Sequence, residues 1–255
     1  MPKKYQILSG FTLKWIAIIS MLIDHFGSII MDGVIAPYRT DGFITFTADM
    51  PFIVRNAYMI KSICEALGSI AFPIFCFLIV EGVIHTRNII RYGICMGIFA
   101  LLSEIPYDFS HYGELFRFSL QNVMFTLCVG IFTLFILHKI ELSFENNKAK
   151  YVTLTTMTIM GGMILAFLVR GEYVFLGVLA MSLLYLLRKK GYWQLLGFAP
   201  LLVASPWIVL AAIPVLLYNG QRGKGSKYFF YFFYPAHFLL YAGIAAWLSA
   251  RVIGG

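Results

Sequence analysis

Charged residues are scarce in this sequence. Only 13% of its 255 residues are charged, whereas 60% are hydrophobic, and the mean hydropathy is +0.81. A soluble domain cannot bury so large a share of apolar side chains. The apolar segments are also long and continuous, without the alternation of a membrane β-barrel. These features predict an all-α polytopic transmembrane helical bundle in the cell membrane, with residues 1–255 forming a single integral membrane domain.

Cysteine is also scarce, and its placement excludes two classes of protein. The four cysteines are scattered through apolar segments without a CxxC pair. A disulfide framework and a cysteine-based metal centre are therefore not expected, and we predict no metal. The N-terminal apolar run has no small-residue cleavage site and is longer than the core of a signal peptide, so we expect it to be retained as the first span.

Acidic residues are outnumbered, which gives a net charge of +8. The basic residues lie in short loops between apolar segments, a pattern typical of membrane topology and not of nucleic-acid binding. With the N-terminus in the cytoplasm, thirteen of the 20 Lys and Arg fall in cytoplasmic segments and six on the opposite side. The positive-inside rule therefore predicts a cytoplasmic N-terminus, with membrane lipids and no nucleic acid as partners.

Nine apolar segments indicate about nine spans. Two of them, 192–204 and 206–218, are short for a bilayer, so they are either short tilted spans or a re-entrant pair, and the number of crossings is seven to nine. Residues 32–61 are predicted to be an extracytoplasmic loop that either caps the outer mouth or is a plain linker. The segments are 11–31, 62–83, 89–107, 120–139, 151–169, 172–187, 192–204, 206–218 and 229–250.

The first apolar segment carries two ionisable residues on one face. Lys14 and His25 are eleven residues apart. In an α-helix this spacing gives a difference of only about 20° in direction and a rise of about 16.5 Å. Ionisable groups at membrane depth are costly and rarely face lipid. We therefore expect this face of the first helix to point into a functional site.

The outer half of the bundle is predicted to hold the acid–base chemistry. An unperturbed histidine titrates near neutral pH, so His25 is the expected acid–base group, and a carboxylate on another helix would orient it. Asp24 belongs to the same candidate catalytic set but points about 100° away from His25, so Glu104 or Asp108 is the better partner. Pro106 is expected to kink or end the helix between those two. The alternatives are a purely structural buried histidine and carboxylates at a helix end in the head-group region.

The inner half is predicted to hold an anion site. Glu81 and His85 are spaced i, i+4 on one helix face. Arginine and amide donors at the start of the next helix suit a phosphate group. The alternative is that the arginines only anchor the cytoplasmic loop. The candidate donor-binding residues at this end are Lys14, Glu81, His85, Arg87, Asn88, Arg91 and His237.

Six stretches together resemble the TraX family of membrane proteins. They are LKWIAIISMLIDHFG, GSIAFPIFCFLIVEGVIHTRN, LLSEIPYD, QNVMFTL, GEYVFLGVL and FFYPAH, and their order is kept along nearly the whole chain outside 32–61. TraX proteins are associated with N-terminal acetylation of conjugative pilin. Their relatives include the acyltransferase type 3 membrane family, whose first helix carries Arg–x10–His. Lys14 and His25 have the same spacing here, but lysine lacks the bidentate geometry of arginine.

The resemblance implies an integral membrane acyltransferase. An acetyl or other acyl group would pass from cytoplasmic acyl-CoA, most simply acetyl-CoA, to an amine or hydroxyl of an acceptor protein, glycan or lipid. His25 would be the general base, Lys14 would lie on the donor path, and Gln121 or Asn122 would donate a hydrogen bond to the oxyanion. The same buried charges also suit a transporter or flippase for a polar lipid or small anion. A structural or assembly role is the third possibility.

Overall fold

Helices form almost all of the described chain, as the sequence predicted. The computed structural model describes residues 6–40, 43–44, 50–225 and 227–253. Its α-helices are α1 Gly10–His25, α2 Asp32–Ile35, α3 Phe52–Gly68, α4 Ala71–His85, α5 Ile89–Tyr112, α6 Val123–Phe144, α7 Lys148–Val169, α8 Val174–Leu187, α9 Ala212–Leu216 and α10 Lys227–Ile253. A π-helix covers Phe26–Met31, 3₁₀ segments cover Ala36–Tyr38, Arg188–Val203 and Pro206–Ala211, and β1 Arg39–Thr40 pairs antiparallel with β2 Phe43–Ile44.

Six stretches of helix among the described residues are long and apolar enough to cross a membrane. They support an all-α polytopic bundle, while the number of spans and the cytoplasmic N-terminus stay predictions. The stretches are Gly10–Ile35, Phe52–His85, Ile89–Tyr112, Val123–Phe144, Lys148–Val169 and Phe229–Leu248.

Both ends of the stretch predicted as a long outer loop are helical. The first helical run continues to Ile35, and α3 begins at Phe52, ten residues before the predicted segment. The apolar pattern did not predict the first ten residues of α3 because Arg55, Asn56 and Lys61 interrupt it. Lys61 is accommodated by an ion pair of 2.7 Å with Asp32. The position of this region outside the membrane, and a capping role for it, stay predictions that include residues 41–42 and 45–49, which lie outside the described residues.

Of the two expected effects of Pro106, a kink or an end of the helix, the second does not occur. α5 runs through Pro106 to Tyr112 and ends at Gly113, whose φ of 70° is the left-handed conformation that glycine adopts readily. Proline is tolerated inside membrane-spanning helices because neighbouring helices and side chains can hydrogen-bond the backbone carbonyl that it leaves without a donor. Glu104, Asp108 and His111 therefore lie on consecutive turns of one continuous helix.

α4 lies at the centre of the bundle and α7 at its edge. α4 packs against α1, α6 and α8, and Ile74, Cys76 and Val80 are fully buried. A helix that is apolar all round is stable in such a position. In α7 only Thr155, Gly162 and Ala166 are buried, so most of its apolar surface faces the surroundings of the bundle. Elsewhere in the bundle α10 packs against α5, and α1 packs against α3 and α4.

α1 and α10 run in the same direction, side by side. Trp15 near the start of α1 lies beside Phe230 near the start of α10, with ring centroids 6.0 Å apart. Further along, the Tyr241 hydroxyl donates to the Leu22 carbonyl at 3.0 Å. Two histidines more than two hundred residues apart in the chain are thereby brought to one level of the bundle.

The segment after α8 is wound as a 3₁₀-helix. It is interrupted at Gly191, whose φ is 60° and ψ −129°. Residues 192–203 rise roughly 24 Å at about 2 Å per residue, which is less than the hydrocarbon core of about 30 Å. The next short apolar stretch is Pro206–Leu216. Both readings of these two segments, short tilted spans or a re-entrant pair, stay open.

Candidate functional site

His25 lies where the first helical run changes its winding. It is the last residue of α1, and the π-helix Phe26–Met31 begins directly after it. π-Helical turns are rare and often mark functional sites. Gly27 permits a close approach here, because a Cβ atom at this position would lie 2.7 Å from the Cβ of Cys64 on α3. The backbone is thus fitted closely to its neighbour immediately beyond the histidine.

Three histidines from three helices meet at this level. The Nδ1 atom of His25 lies 2.7 Å from Nε2 of His237, and the two rings are inclined by only 12°. Both side chains are buried, with 7% and 2% of their surface exposed. The ring of His111 stands edge-on to His25 at 6.0 Å. Phe238 packs against all three rings. We call His25, His111 and His237 the histidine cluster.

Two carboxylates precede His111 on α5, and both already have partners. Oε2 of Glu104 accepts hydrogen bonds from the side-chain Nδ2 of Asn122 at 2.5 Å and its backbone N at 3.2 Å. Oδ2 of Asp108 accepts from the backbone N of Arg117 at 2.6 Å. Oε1 of Glu104 and Oδ1 of Asp108 are buried without a hydrogen-bond partner among the described residues. Each carboxylate is therefore held at one oxygen.

Asn122 is held too tightly for the role predicted for it. Its Oδ1 accepts from the backbone N of Met124 at the start of α6, which fixes the orientation of the amide. Its Nδ2 donates both protons, to the Ala100 carbonyl at 2.8 Å and to Glu104. An amide nitrogen has only two protons to donate. In this arrangement Asn122 has no proton left for an oxyanion.

A strained turn carries a further, half-buried carboxyl group beside α1. Residues 170–174 contain three non-glycine residues with positive φ, including Val174 at 39°, a rare value for a β-branched residue. Strain of this kind tends to occur at functional sites. Burial and the negative charge of Asp24 raise the pKa of Glu172 in this turn to about 7. Asp24 approaches Gly68 of α3, where an added Cβ would lie 2.3 Å from the Asp24 Cβ.

The other end of α1 is basic and lies near the chain that precedes α10. The backbone N of Gly10 donates to the Gln221 carbonyl at 2.8 Å, and Lys14 lies over the ring of Phe230 at 5.4 Å. Tyr218 hydrogen-bonds the Glu81 side chain; burial, and secondarily the carboxylate, raise the pKa of the tyrosine. The loop after α4 completes this end of the bundle.

That loop exposes most of the predicted donor-binding side chains. His85, Arg87, Asn88 and Arg91 are exposed. The Nδ1–H of His85 donates to the Glu81 carbonyl at 2.9 Å, and Oδ1 of Asn88 caps α5 by accepting from the Arg91 backbone N at 2.9 Å. The two arginines stand beside the first turn of α5, where free backbone N–H groups favour an anion.

A family model described as TraX protein matches residues 9–245. The chain belongs to the TraX family. The match includes all three members of the histidine cluster and the basic end of α1. A relative from Dichelobacter nodosus, described as "Probable fimbrial assembly protein FimC, serogroup H1", is 27% identical over 259 residues, which cover 91% of this chain and 93% of the relative. No solved structure matches the chain significantly.

Two predicted site residues or pairs have other partners in this TraX structure than the sequence led us to expect. His237 was assigned to the basic end with Lys14, but it contacts His25 instead. Glu104 or Asp108 was expected to orient His25, yet Glu104 accepts hydrogen bonds from Asn122, and Asp108 accepts one from Arg117. His237 was misplaced because its depth along the last helix was underestimated. At about 1.5 Å per residue it lies about 12 Å beyond residue 229, the predicted start of that span, and so well inside the bundle.

His111 and Glu172 were absent from the predicted site. His111 was missed because α5 was expected to stop near Pro106, although the spacing of Glu104, Asp108 and His111 is that of one helix face. Glu172 carries a sequence signal only in the polar run RGEY between two apolar segments. Across residues 6–40, 43–44, 50–225 and 227–253, no group of three or more His, Cys, Asp or Glu is arranged to hold a metal ion.

Proposed function

We propose that this chain is a membrane acyltransferase that transfers an acetyl group from acetyl-CoA to an amine of an acceptor protein, with His25 as the general base. The observation that carries the proposal is the position of His25. It is buried in a hydrogen-bonded histidine cluster, and the helix that bears it begins at the basic end of the bundle. Membership of a family associated with pilin acetylation and the fimbrial name of the relative support the same reaction.

The chemistry requires a base beside the acceptor. His25 would remove the proton from the acceptor nitrogen as that nitrogen attacks the thioester carbonyl. The bond from carbon to sulfur would then break, and the imidazolium would return its proton to the departing thiolate. The products are the acetylated amine and free CoA. With no proton left on its Nδ2, Asn122 is not part of this mechanism, and its structural bonds explain its burial.

The basic end of α1 is suited to binding the acyl donor, acetyl-CoA. Lys14, Arg87 and Arg91 would bind the phosphates of CoA, with His85 and Asn88 beside them. Glu81 would act indirectly, because its side chain is hydrogen-bonded to Tyr218. Lys14 and His25 are separated by about 16.5 Å along the helix. This distance suits the long pantetheine arm, which separates the phosphates from the thioester.

The acidic end suits an amine acceptor. Glu104 and Asp108 each keep one buried oxygen without a hydrogen-bond partner among the described residues, and Glu172 is a further carboxyl group, whose pKa burial and the charge of Asp24 raise to about 7. An ammonium group binds favourably beside ionised carboxylates, and because their charge favours the protonated amine, His25 is needed to remove the proton as the nitrogen attacks. The N-terminal amine of a pilin-type subunit fits this description. A hydroxyl of a surface glycan or lipid would gain less from the acidic surroundings.

The test measures free thiol released from acetyl-CoA by the purified protein in detergent, with and without a peptide that has a free N-terminus. We expect thiol release and acetylated peptide from the wild type, and a loss of at least roughly 100-fold in His25→Ala. His138→Ala is the matched control, since this half-buried histidine is bonded to Tyr185 far from the cluster. Its activity should equal that of the wild type.

Full activity in a folded His25→Ala variant would refute the assignment of the base. Acetylation of a sugar or lipid hydroxyl in preference to the peptide would refute the proposed amine acceptor but would support acyltransferase activity. Counterflow of a solute in vesicles, without CoA binding, would instead favour the transporter.

A further inference from the structure

The hydrogen bonds of His237 determine which of its nitrogens carries the proton. Its Nδ1 lies 3.2 Å from the carbonyl oxygen of Phe233, one turn earlier on α10. A carbonyl oxygen can only accept a hydrogen bond, so Nδ1 of His237 must be the donor. In a neutral imidazole the other nitrogen then has a lone pair. Nε2 of His237 is therefore an acceptor.

The same reasoning fixes the tautomer of His25. Its Nδ1 lies 2.7 Å from that lone pair, so Nδ1 of His25 carries the proton and donates it. The remaining nitrogen of neutral His25, Nε2, then has the free lone pair that a general base requires. The tautomer follows from a chain of two hydrogen bonds that ends at a backbone carbonyl.

The surrounding rings hold both histidines in this arrangement. The centroid of Phe238 lies 4.8 Å from that of His25 and 4.1 Å from that of His237. The ring of Phe233 is nearly parallel to that of His237, with an angle of 9° between the planes and 5.9 Å between the centroids. Phe238, which is fully buried, therefore restricts rotation of both imidazole rings. The packing therefore limits the pair to the geometry that the hydrogen bonds require.

The surroundings also explain why a neutral residue suits this position. A carboxylate buried here would need a positive partner to offset the loss of hydration. His237 supplies the acceptor without that cost. When His25 becomes protonated, its hydrogen bond to His237 becomes charge-assisted and stronger. The partner thus favours the imidazolium that forms during proton transfer.

We propose that His237 is a positioning residue that holds His25 with its proton on Nδ1 and its Nε2 free to act as the base. The inference rests on the proposed function for the base role, whereas the tautomer itself can be measured independently. It removes His237 from the donor-binding set. It also predicts that any loss of activity on changing His237 arises in the chemical step and leaves acetyl-CoA binding intact.

Two amide substitutions separate this role from simple packing. In His237→Gln the side-chain oxygen reaches about as far as Nε2 of histidine, so it can still accept from His25. In His237→Asn the amide is one methylene shorter and falls near the position of Nδ1, out of reach of His25. Both variants are neutral and polar, and they differ mainly in reach. Thermal unfolding in detergent would establish that both are folded.

The first readout is the tautomer of His25, measured by nitrogen-15 NMR of the histidine side chains and assigned with His25→Gln. We expect the proton on Nδ1 in the wild type and in His237→Gln, and a shift towards Nε2 in His237→Asn. A His25 proton on Nε2 in the wild type overturns the inference. An unchanged tautomer in a folded His237→Asn variant also overturns it.

The second readout is the division of the effect between kcat and KM. We expect kcat to fall roughly 100-fold in His237→Asn, with KM for acetyl-CoA unchanged, and to stay within several-fold of the wild type in His237→Gln. A rise in KM alone would return His237 to the donor site and refute the proposal. If the wild type shows the expected tautomer but transfers no acetyl group, the proposed function fails and the histidine pair stands.

Discussion

Asn122 joins α5 to the start of α6, and Asn122→Asp changes only the two protons that it donates. Oδ1 can still accept from the Met124 backbone N, so the cap of α6 is kept. The new oxygen, however, replaces Nδ2 and faces two acceptors, the Ala100 carbonyl at 2.8 Å and Oε2 of Glu104 at 2.5 Å. Two attractive contacts become repulsive in a site where Asn122 is fully buried.

The expected loss follows from those two contacts. A buried polar group left without its partner costs about 1–3 kcal/mol. Two such groups, together with the repulsion between the neighbouring carboxyl groups, predict a loss of about 3–5 kcal/mol in the free energy of unfolding. Adding Glu104→Gln supplies an amide that can donate to the new carboxylate. We expect the double variant to recover about 2 kcal/mol, because the Ala100 carbonyl is still without its donor.

The assay is unfolding in mixed detergent micelles, followed by tryptophan fluorescence. Asn147→Asp is the matched control: Asn147 caps α7 by accepting from the Lys150 backbone N at 3.1 Å and is exposed. It should change stability by less than about 0.5 kcal/mol. The reasoning is refuted if Asn122→Asp resembles Asn147→Asp, or if the double variant recovers nothing.

Three further changes test other parts of the structure. Gly197→Ala should lower the free energy of unfolding by about 1–3 kcal/mol, because the added Cβ would lie 2.7 Å from a backbone nitrogen of α8. Gly161→Ala, whose Cβ would have nothing within 4 Å, should be neutral or slightly stabilising. Equal free energies of unfolding for the two variants would contradict this. Glu172 has a pKa of about 7 in the folded protein, above its ordinary value of 4.5, so the folded state holds this proton more tightly than the unfolded state. Raising the pH from 5 to 9 should therefore destabilise the protein by up to about 3 kcal/mol. Glu172→Gln should abolish that part of the slope in thermal unfolding, and an unchanged slope would show that Glu172 is not its source. Lys14→Met should raise KM for acetyl-CoA roughly tenfold with little change in kcat, so a fall in kcat alone would remove Lys14 from donor binding.

Much of the fold was predictable because long apolar runs leave a membrane chain few alternatives to helices. The predicted segments 120–139 and 151–169 lie within or close to α6 and α7. Prediction failed where polar side chains are paired inside the bundle. The Lys61 ion pair with Asp32 allows α3 to begin early, and no local pattern around Lys61 reveals a partner 29 residues away.

The site was partly predictable for a similar reason. His25 stood out because an ionisable group in an apolar helix must have a partner. The identity of that partner was hidden, since His237 is 212 residues further along the chain. Its depth in α10 was the available clue. Both amide protons of Asn122 are donated within the protein because α5 and α6 pack closely together. Composition and residue spacing do not predict that packing.

The arrangement of charge around the histidine cluster argues for a division of labour between its two kinds of partner. His237 contacts His25 directly and is neutral, so it can fix the tautomer at low cost in a buried site. The carboxylates of Glu104 and Asp108 lie on the helix that carries His111, each held at one oxygen by N–H donors. Placed there, they favour positive charge in the site without competing for the hydrogen bond of His25. A carboxylate in direct contact with His25 would form a stronger hydrogen bond but would add a further buried charge beside the base. If this division is correct, His237→Asn and Glu104→Gln should act through different steps: the first should lower kcat alone, and the second should weaken binding of a cationic acceptor. Equal effects of both changes on kcat and on the KM for the peptide would show that the two partners form one unit.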